Sequence, residues 1–241
     1  MSHPHPAPPR VIDAQFLAGA SRVEQLPPPQ NLEVAFAGRS NVGKSSLMNA
    51  LLERRKLVRT SSTPGCTRQI SLFEATTRLG SRLTLVDLPG YGYAKRSKTE
   101  RAEWAELIHS YLLQRPALSL VVALCDLRRG REEDDEQLLE LLAQAPARSR
   151  APVSLIWVAT KIDKIPVSSR KLTLQKLEAQ TGHSWIGFST ELPETQDRLW
   201  RRILRQLELD QPSTGGGEVE VSAGNESESS APGRAQPRSD R

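Results

Sequence analysis

Residues 38–45 read Gly38-Arg39-Ser40-Asn41-Val42-Gly43-Lys44-Ser45, set between an apolar run at residues 32–37 (LEVAFA) and a helical pattern from about Lys44 to Arg55. Strand, glycine-bounded loop and helix, in that order, are the context in which G-x-x-x-x-G-K-[ST] cradles a phosphate. Glycine lets the backbone curl so that successive N–H groups face the anion, and the helix N-terminus adds partial positive charge. Lys44 is placed to bridge the β- and γ-phosphates, and the Ser45 hydroxyl can ligate Mg²⁺ without displacing its phosphate ligands.

Working outward from that loop, Asp87-Leu88-Pro89-Gly90 closes a strand expected at residues 82–88. A carboxylate at that strand end holds Mg²⁺ directly or through water, and the Gly90 N–H can sense a γ-phosphate. Further on, Thr160-Lys161-Ile162-Asp163 follows a buried run at residues 153–159. Asp163 can accept from guanine N1–H and the exocyclic amine, where adenine would present a repelling lone pair; Lys161 can lay its stem across the base. Phe188-Ser189-Thr190, after a short strand at 185–188, are positioned to offer backbone N–H groups to guanine O6. Between the first two motifs, residues 60–69 (TSSTPGCTRQ) are polar and punctuated by proline and glycine, as a nucleotide-dependent switch requires. Thr67 is the hydroxyl expected to close onto Mg²⁺; the alternative is a surface residue at the start of a strand.

The remaining apolar segments alternate between strand and helix patterns, which predicts an α/β domain: a doubly wound, mostly parallel sheet with one antiparallel edge strand and helices on both faces. Strands at 68–75 and 82–88 are expected to form a hairpin across Gly80-Ser81. Helices are expected at 99–114, 132–145, 168–180 and 194–209, with Trp104, Leu107, Ile108, Tyr111 and Leu112 forming a core-facing stripe. Residues 118–125 and 153–159 are near-continuous apolar runs suited to central parallel strands. Residues 1–10 and 211–241, rich in Pro, Gly, Ser and charge, are expected to be disordered, leaving residues 11–210 as the folded domain.

The 241 residues carry 33 bases and 28 acids, a net charge of +5. Five of the acids and only three of the bases lie in 211–241, so the rest of the chain carries +7, which favours a polyanionic partner. Bases group near the switch stretches: Arg54, Arg55, Lys56, Arg59, Arg68, Lys95, Arg96, Lys98 and Arg101. No apolar run approaches the roughly 18 residues needed to span a bilayer, and the N-terminus lacks a secretory pattern, so a cytoplasmic protein with no membrane partner is expected. Two distant cysteines, Cys66 and Cys125, suggest neither a zinc site nor a disulfide framework. A P-loop kinase would need an acceptor site, and no convergent cluster of acids or histidines lies outside the switch. A nucleotide-free scaffold would leave Lys44, Asp87 and Asp163 unexplained together.

The strings GRSNVGKSSL, TSSTPGCTRQI, VDLPGYGYA and TKID, in this order, resemble the translation-factor-like P-loop GTPases and specifically the EngB family of bacterial GTP-binding proteins, over residues 10–209. The resemblance implies a Mg²⁺-dependent GTPase acting in assembly of the large ribosomal subunit, with rRNA and ribosomal proteins as partners, needed for normal cell division and septation. Carried over by position, Gly38, Arg39, Ser40, Asn41, Val42, Gly43, Lys44 and Ser45 correspond to the phosphate loop. Gly65, Cys66, Thr67, Arg68 and Gln69 correspond to the first switch, and Asp87, Leu88, Pro89 and Gly90 to the entry of the second. Thr160, Lys161, Ile162, Asp163, Phe188, Ser189 and Thr190 correspond to the guanine-binding motifs. Ser45, Thr67 and Asp87 are the expected metal ligands, and Lys44, Thr67 and Gly90 the groups acting on the γ-phosphate. Cys66 stands where the family usually has Arg, and Thr190 where a second Ser is usual. Tyr91 stands where Ras-like GTPases place the water-orienting Gln, so slow intrinsic hydrolysis is expected. Asn41 resembles the Asn that coordinates K⁺ in some GTPases of this class; the alternative is that it stabilises its own loop turn. A monomer is expected.

Overall fold

The computed structural model describes residues 9–59, 69–91, 98–143 and 152–209. Among these, seven strands make one sheet: β1 (Val11–Ala20), β2 (Leu32–Gly38), β3 (Ile70–Thr77), β4 (Arg82–Asp87), β5 (Leu118–Asp126), β6 (Ser154–Thr160) and β7 (Trp185–Gly187). Their order is β1-β3-β4-β2-β5-β6-β7. From β4 to β7 all pairings are parallel, while β3 runs antiparallel to both β4 and β1. The mostly parallel sheet with antiparallel pairing toward one edge is therefore as expected.

The edge itself carries one strand more than the sequence pattern suggests. β1 covers β3, and its register shifts twice, between Val11 and Asp13 and between Phe16 and Ala18. Each irregularity breaks the period-two alternation by which a half-buried strand is recognised. Ile12, Phe16 and Leu17 are consequently exposed, and Phe16 recovers contact by packing edge-on against Phe73 at 5.6 Å.

Five α-helices flank the sheet among the described residues: α1 (Lys44–Leu51), α2 (Lys98–Gln114), α3 (Glu133–Ala143), α4 (Val167–Thr181) and α5 (Pro193–Gln206). The central strands sort their side chains by alternation. Val34 and Phe36 of β2 join Leu47, Met48 and Leu51 of α1 and Trp200 and Ile203 of α5 in one core. Ala35 and Ala37 face the other core, with Ile108, Tyr111 and Leu112 of α2, Leu138 of α3 and Leu177 of α4. Both faces of β2 are thus dry, which explains its unbroken apolar reading.

α1 stops at Leu51, short of the expected Arg55. Glu53 adopts a left-handed φ of 51°, and the Asn49 side chain captures the returning chain by donating to Val58 O at 2.7 Å and accepting from Val58 N at 2.9 Å. Arg54, Arg55 and Lys56 therefore lie beyond the far end of α1, about 12 Å along its axis from the loop at residues 39–43. Their expected place beside the switch stretches rests on positions outside the described residues. The residues 60–68 and 92–97 lie outside the described part of the chain.

One polar group is buried in the central strand. Glu33, 1% exposed, accepts from Arg115 Nε at 2.9 Å and from the Tyr111 hydroxyl at 2.9 Å, and the same arginine donates to Pro27 O at 2.8 Å. This pins the C-terminal end of α2 under β2, at the end of the sheet away from Gly38. Among the described residues no helix is long and apolar enough to cross a membrane.

Candidate functional site

At the C-terminal ends of the parallel strands, β2 turns into α1 through residues 39–43. Gly38 permits this close passage: a Cβ there would stand 3.0 Å from the Leu124 carbonyl and 3.0 Å from Val42 Cγ1. Asn41 and Gly43 hold left-handed φ values of 64° and 104°. Such a conformation costs glycine nothing and asparagine little. The loop is tied from three sides. The Thr160 hydroxyl donates to Val42 O at 2.7 Å, Lys161 Nζ donates to Asn41 O at 2.7 Å, and Ser40 N donates to Tyr91 O at 3.0 Å. With the Asn41 and Val42 carbonyls occupied, the first N–H groups of α1, which have no intrahelical acceptor, give the loop its electropositive face.

Lys44 is buried at the start of α1 and forms an ion pair with Asp87, itself 3% exposed at the end of β4. Ser45, half-buried, follows on the same turn. Gly90 brings the segment after β4 against the loop: a Cβ there would lie 3.2 Å from Ser40 Oγ. Two contacts hold this segment. Trp104 Nε1 donates to Pro89 O at 2.9 Å, and the Tyr91 hydroxyl donates to Asp135 Oδ1 at 2.6 Å. The Tyr91 and Trp104 rings meet edge to face at 5.8 Å. Trp104 is thus more than the core residue its helical spacing suggested.

At the end of β6, Lys161 takes a left-handed φ of 59° and starts a short 3₁₀ turn, Ile162–Lys164. Ile162 is buried, anchoring the turn, while Asp163 stands beside Ser189, whose hydroxyl donates to Asp163 Oδ1 at 2.6 Å. That hydrogen bond, with a further ion pair to Lys164 at 3.1 Å, holds the Asp163 carboxyl below its ordinary range. Phe188 is core, not a base-stacking ring, and its N–H donates to Ala159 O at 2.8 Å. The Ser189 N–H donates to Thr195 Oγ1 at 3.1 Å. Of the three N–H groups expected to reach a purine oxygen, only that of Thr190 has no partner among the described residues. The expectations at Gly65, Cys66, Thr67 and Arg68 lie outside the described residues, and Gln69 is exposed just before β3.

Sequence reading missed Asp126 and Asp135 at this edge, and the contacts that Arg39 and Tyr91 make there. Asp126, last in β5, pairs with Arg128 at 2.6 Å and with Lys161 at 3.2 Å. Burial pushes its carboxyl up, but the Arg128 hydrogen bonds and then Lys161 outweigh burial and bring it down to about 2. Arg39 of the phosphate loop forms an ion pair with Glu132 just before α3, and Asp135 gathers the Tyr91 hydroxyl, the Glu132 N–H and the Cys125 thiol. Burial, then the Asp135 charge, push that thiol well up, so Cys125 stays protonated and inert. The available signal was positional: an acid ending an apolar run, beside the strand that carries Thr160, lies at the ligand edge of a parallel sheet.

A family profile described as "50S ribosome-binding GTPase" matches residues 33–161. A probable GTP-binding protein EngB of Geobacter metallireducens is 41% identical over 197 residues, covering 80% of this chain and 92% of the relative. One from Desulfatibacillum aliphaticivorans is 42% identical over 207 residues, covering 83% of this chain and 94% of the relative. A crystal structure of a probable GTP-binding protein engB shares the fold with a TM-score of 0.54 at 22% identity, covering 73% of this chain and 98% of the other. The loop closing on Lys44 and the Thr160–Asp163 turn thus sit in a stretch that aligns with 92% and 94% of those two relatives, and the chain belongs to the EngB family of GTP-binding proteins.

Proposed function

We propose that this chain is a Mg²⁺-dependent GTPase switch acting in assembly of the large ribosomal subunit, and through it in normal cell division and septation. The observation that carries the nucleotide half is the meeting, at one edge of the sheet, of the buried Lys44–Asp87 pair and the Ser189-oriented Asp163. An entering polyphosphate takes over the Lys44 charge and releases Asp87. The Asp87 carboxylate and the Ser45 hydroxyl are hard oxygen donors that suit Mg²⁺, with Thr67 as the third protein ligand. Bound there, the ion neutralises charge on the phosphates.

Asp163 reads guanine N1–H and the exocyclic amine, the Thr190 N–H is available to O6, and the Lys161 stem flanks the base. Thr67 and the Gly90 N–H respond to the γ-phosphate. The Tyr91 hydroxyl donates to Asp135, which supports a site in which residue 91 does not orient the attacking water; intrinsic hydrolysis is then at or below about 10⁻³ s⁻¹, as for unassisted Ras. K⁺ at Asn41 is a further element of this reading. Residues 11–210 form the GTPase domain of a cytoplasmic monomer, flanked by the segments 1–10 and 211–241.

The ribosomal half is supported by the description of the matching family and by the +7 charge outside the C-terminal segment. Two measurements test the proposal. The chain should bind GTP and GDP and not ATP; equal affinity for ATP overturns the nucleotide reading. With a non-hydrolysable GTP analogue it should co-sediment with large-subunit precursors more than with GDP, with affinity falling about 0.7 to 0.9 log units per tenfold salt for each phosphate contact. Absence of pelleting at low salt overturns the ribosomal partner.

A further inference from the structure

We propose that Asp126 is a positioning residue for the nucleotide: it holds the Lys161 ammonium against the phosphate loop. Asp126 and Thr160 are register partners at the ends of β5 and β6, so the residue that leaves β6, Lys161, emerges directly beside the Asp126 carboxylate. That carboxylate is itself held by hydrogen bonds. It accepts from the Arg128 backbone N–H at 3.1 Å, from Arg128 Nε at 2.9 Å and from the far guanidinium nitrogen at 2.6 Å. A two-pronged guanidinium contact fixes the plane of a carboxylate as well as its position. Only 7% of the Asp126 side chain is exposed.

Lys161 is the opposite kind of group, a long stem ending in a point charge that solvent would otherwise let swing. Here its ammonium is caught between Asp126 Oδ2 at 3.2 Å and Asn41 O at 2.7 Å. The chain of contacts runs from β5 through Lys161 to the turn of the phosphate loop, and all three residues line one cleft of about 220 Å³. Two consequences join. The stem is held where a base would lie against it, and the Asn41 carbonyl is turned from the loop interior, so that it does not oppose an incoming phosphate. Closing the turn between β5 and α3 is the competing role for the Asp126–Arg128 pair, and it would not act through Lys161.

The inference rests on the reading that Lys161 flanks the bound nucleotide, and a double-mutant cycle in the full chain separates the two. Dissociation constants for GDP and GTP are measured with a fluorescent ribose-labelled nucleotide for wild type, Asp126→Ala, Lys161→Met and the double variant, with thermal melting to confirm folding. Asp126→Ala should weaken both nucleotides about tenfold, the loss of one charge-assisted contact. Lys161→Met should weaken them at least as much, and the double variant should bind no worse than Lys161→Met alone, because the two act as one unit. Asp126→Asn, which keeps an oxygen facing the ammonium, should fall between wild type and Asp126→Ala, and it replaces Ala in the cycle if Ala unfolds. Unchanged affinity on removing the carboxylate, or losses that add in the double variant, would overturn the positioning role. Wild-type affinity in Lys161→Met would instead overturn the site reading on which it rests.

Discussion

The Lys44 ammonium and the Asp87 carboxylate, 43 residues apart in sequence, meet as a buried ion pair where α1 begins and β4 ends. Among the described residues each is the other's one charged partner, and both are buried, so the arrangement favours ligands that bring both charges. A polyphosphate alone would strand Asp87; a metal ion alone would strand Lys44.

Asp87→Asn should therefore uncouple nucleotide from metal. In wild type, chelating Mg²⁺ should release GDP; in the variant the gain in GDP affinity on adding Mg²⁺ should shrink by about tenfold, one charged contact having been lost. Titrating labelled GDP with and without chelator measures this, and an identical metal dependence in both proteins would remove Asp87 from the metal site.

The Ser189 hydroxyl holds Asp163, the guanine acceptor of the proposed function. Asp163→Asn replaces an acceptor by a donor facing N1 and N2, so GTP affinity should fall by several kcal/mol, at about 1.5 to 3 for each charged hydrogen bond, while xanthine nucleotides gain. Ser189→Ala should cost less, roughly three- to tenfold. The sign of its pH effect follows from the depressed Asp163 carboxyl. The charged form persists well into acid in wild type; without the hydroxyl its pKa rises toward the ordinary value, and discrimination of GTP from xanthine nucleotides should fail at a higher pH. Superimposable pH profiles would show that the 2.6 Å contact does not act on recognition.

Some of this architecture is local and some is not, which sets what sequence reading could reach. Residues 38–45 carry their own turn chemistry, and Asp87 and Thr160 each end an apolar run, so their convergence at one sheet edge follows once the strands are parallel. β1 escaped because its two irregularities erase the alternation. Asp126 and Asp135, and the contacts made by Arg39 and Tyr91, escaped for a different reason: the partners come from separate elements, and no spacing in the sequence encodes a β5–β6 register or the approach of α3 to the 38–45 loop. The end of α1 at Leu51 escaped because Asn49 takes up the returning chain at Val58, a contact that no helical spacing encodes.

Glu33 offers a stability test remote from the nucleotide. Arg115→Met should strand a carboxylate that is 1% exposed, at a cost of about 3 to 5 kcal/mol. Adding Glu33→Leu to that variant should recover most of the loss, since an apolar pair of similar volume removes the unpaired charge. Urea unfolding of the two variants against wild type gives both numbers; a double variant no better than Arg115→Met would mean that the cluster stabilises by geometry and not by charge pairing.

Asp126 predicts an acid limb. Its carboxyl lies at about 2 in the fold against an ordinary 3.8. Since the folded state binds the proton less readily than the unfolded chain, the contribution is fully present above the ordinary value and is lost as pH falls through about 2. Asp126→Asn should thus lower unfolding stability by a constant amount between about pH 5 and pH 8, with the difference from wild type closing below about pH 4. A difference that changes near neutrality would assign the effect to another group.

Asn41 poses the last question, because its backbone and its side chain make separate claims. Its φ of 64° satisfies the turn, which is what an Asn selected only for its loop would do, and its carbonyl is occupied by Lys161. Asn41→Ala therefore confounds the two roles: it removes the side-chain oxygen and also strains the backbone. Asn41→Gly keeps the left-handed turn at no steric cost and removes only the side chain. If the side-chain oxygen coordinates K⁺, wild type should hydrolyse GTP faster in K⁺ than in Na⁺, and Asn41→Gly should lose that difference while keeping its GDP affinity within about threefold, a change of under 1 kcal/mol. Under the turn-only role, the glycine variant should match wild type in both salts. A wild type indifferent to the cation, or a glycine variant that still responds to K⁺, would leave Asn41 as a turn residue alone.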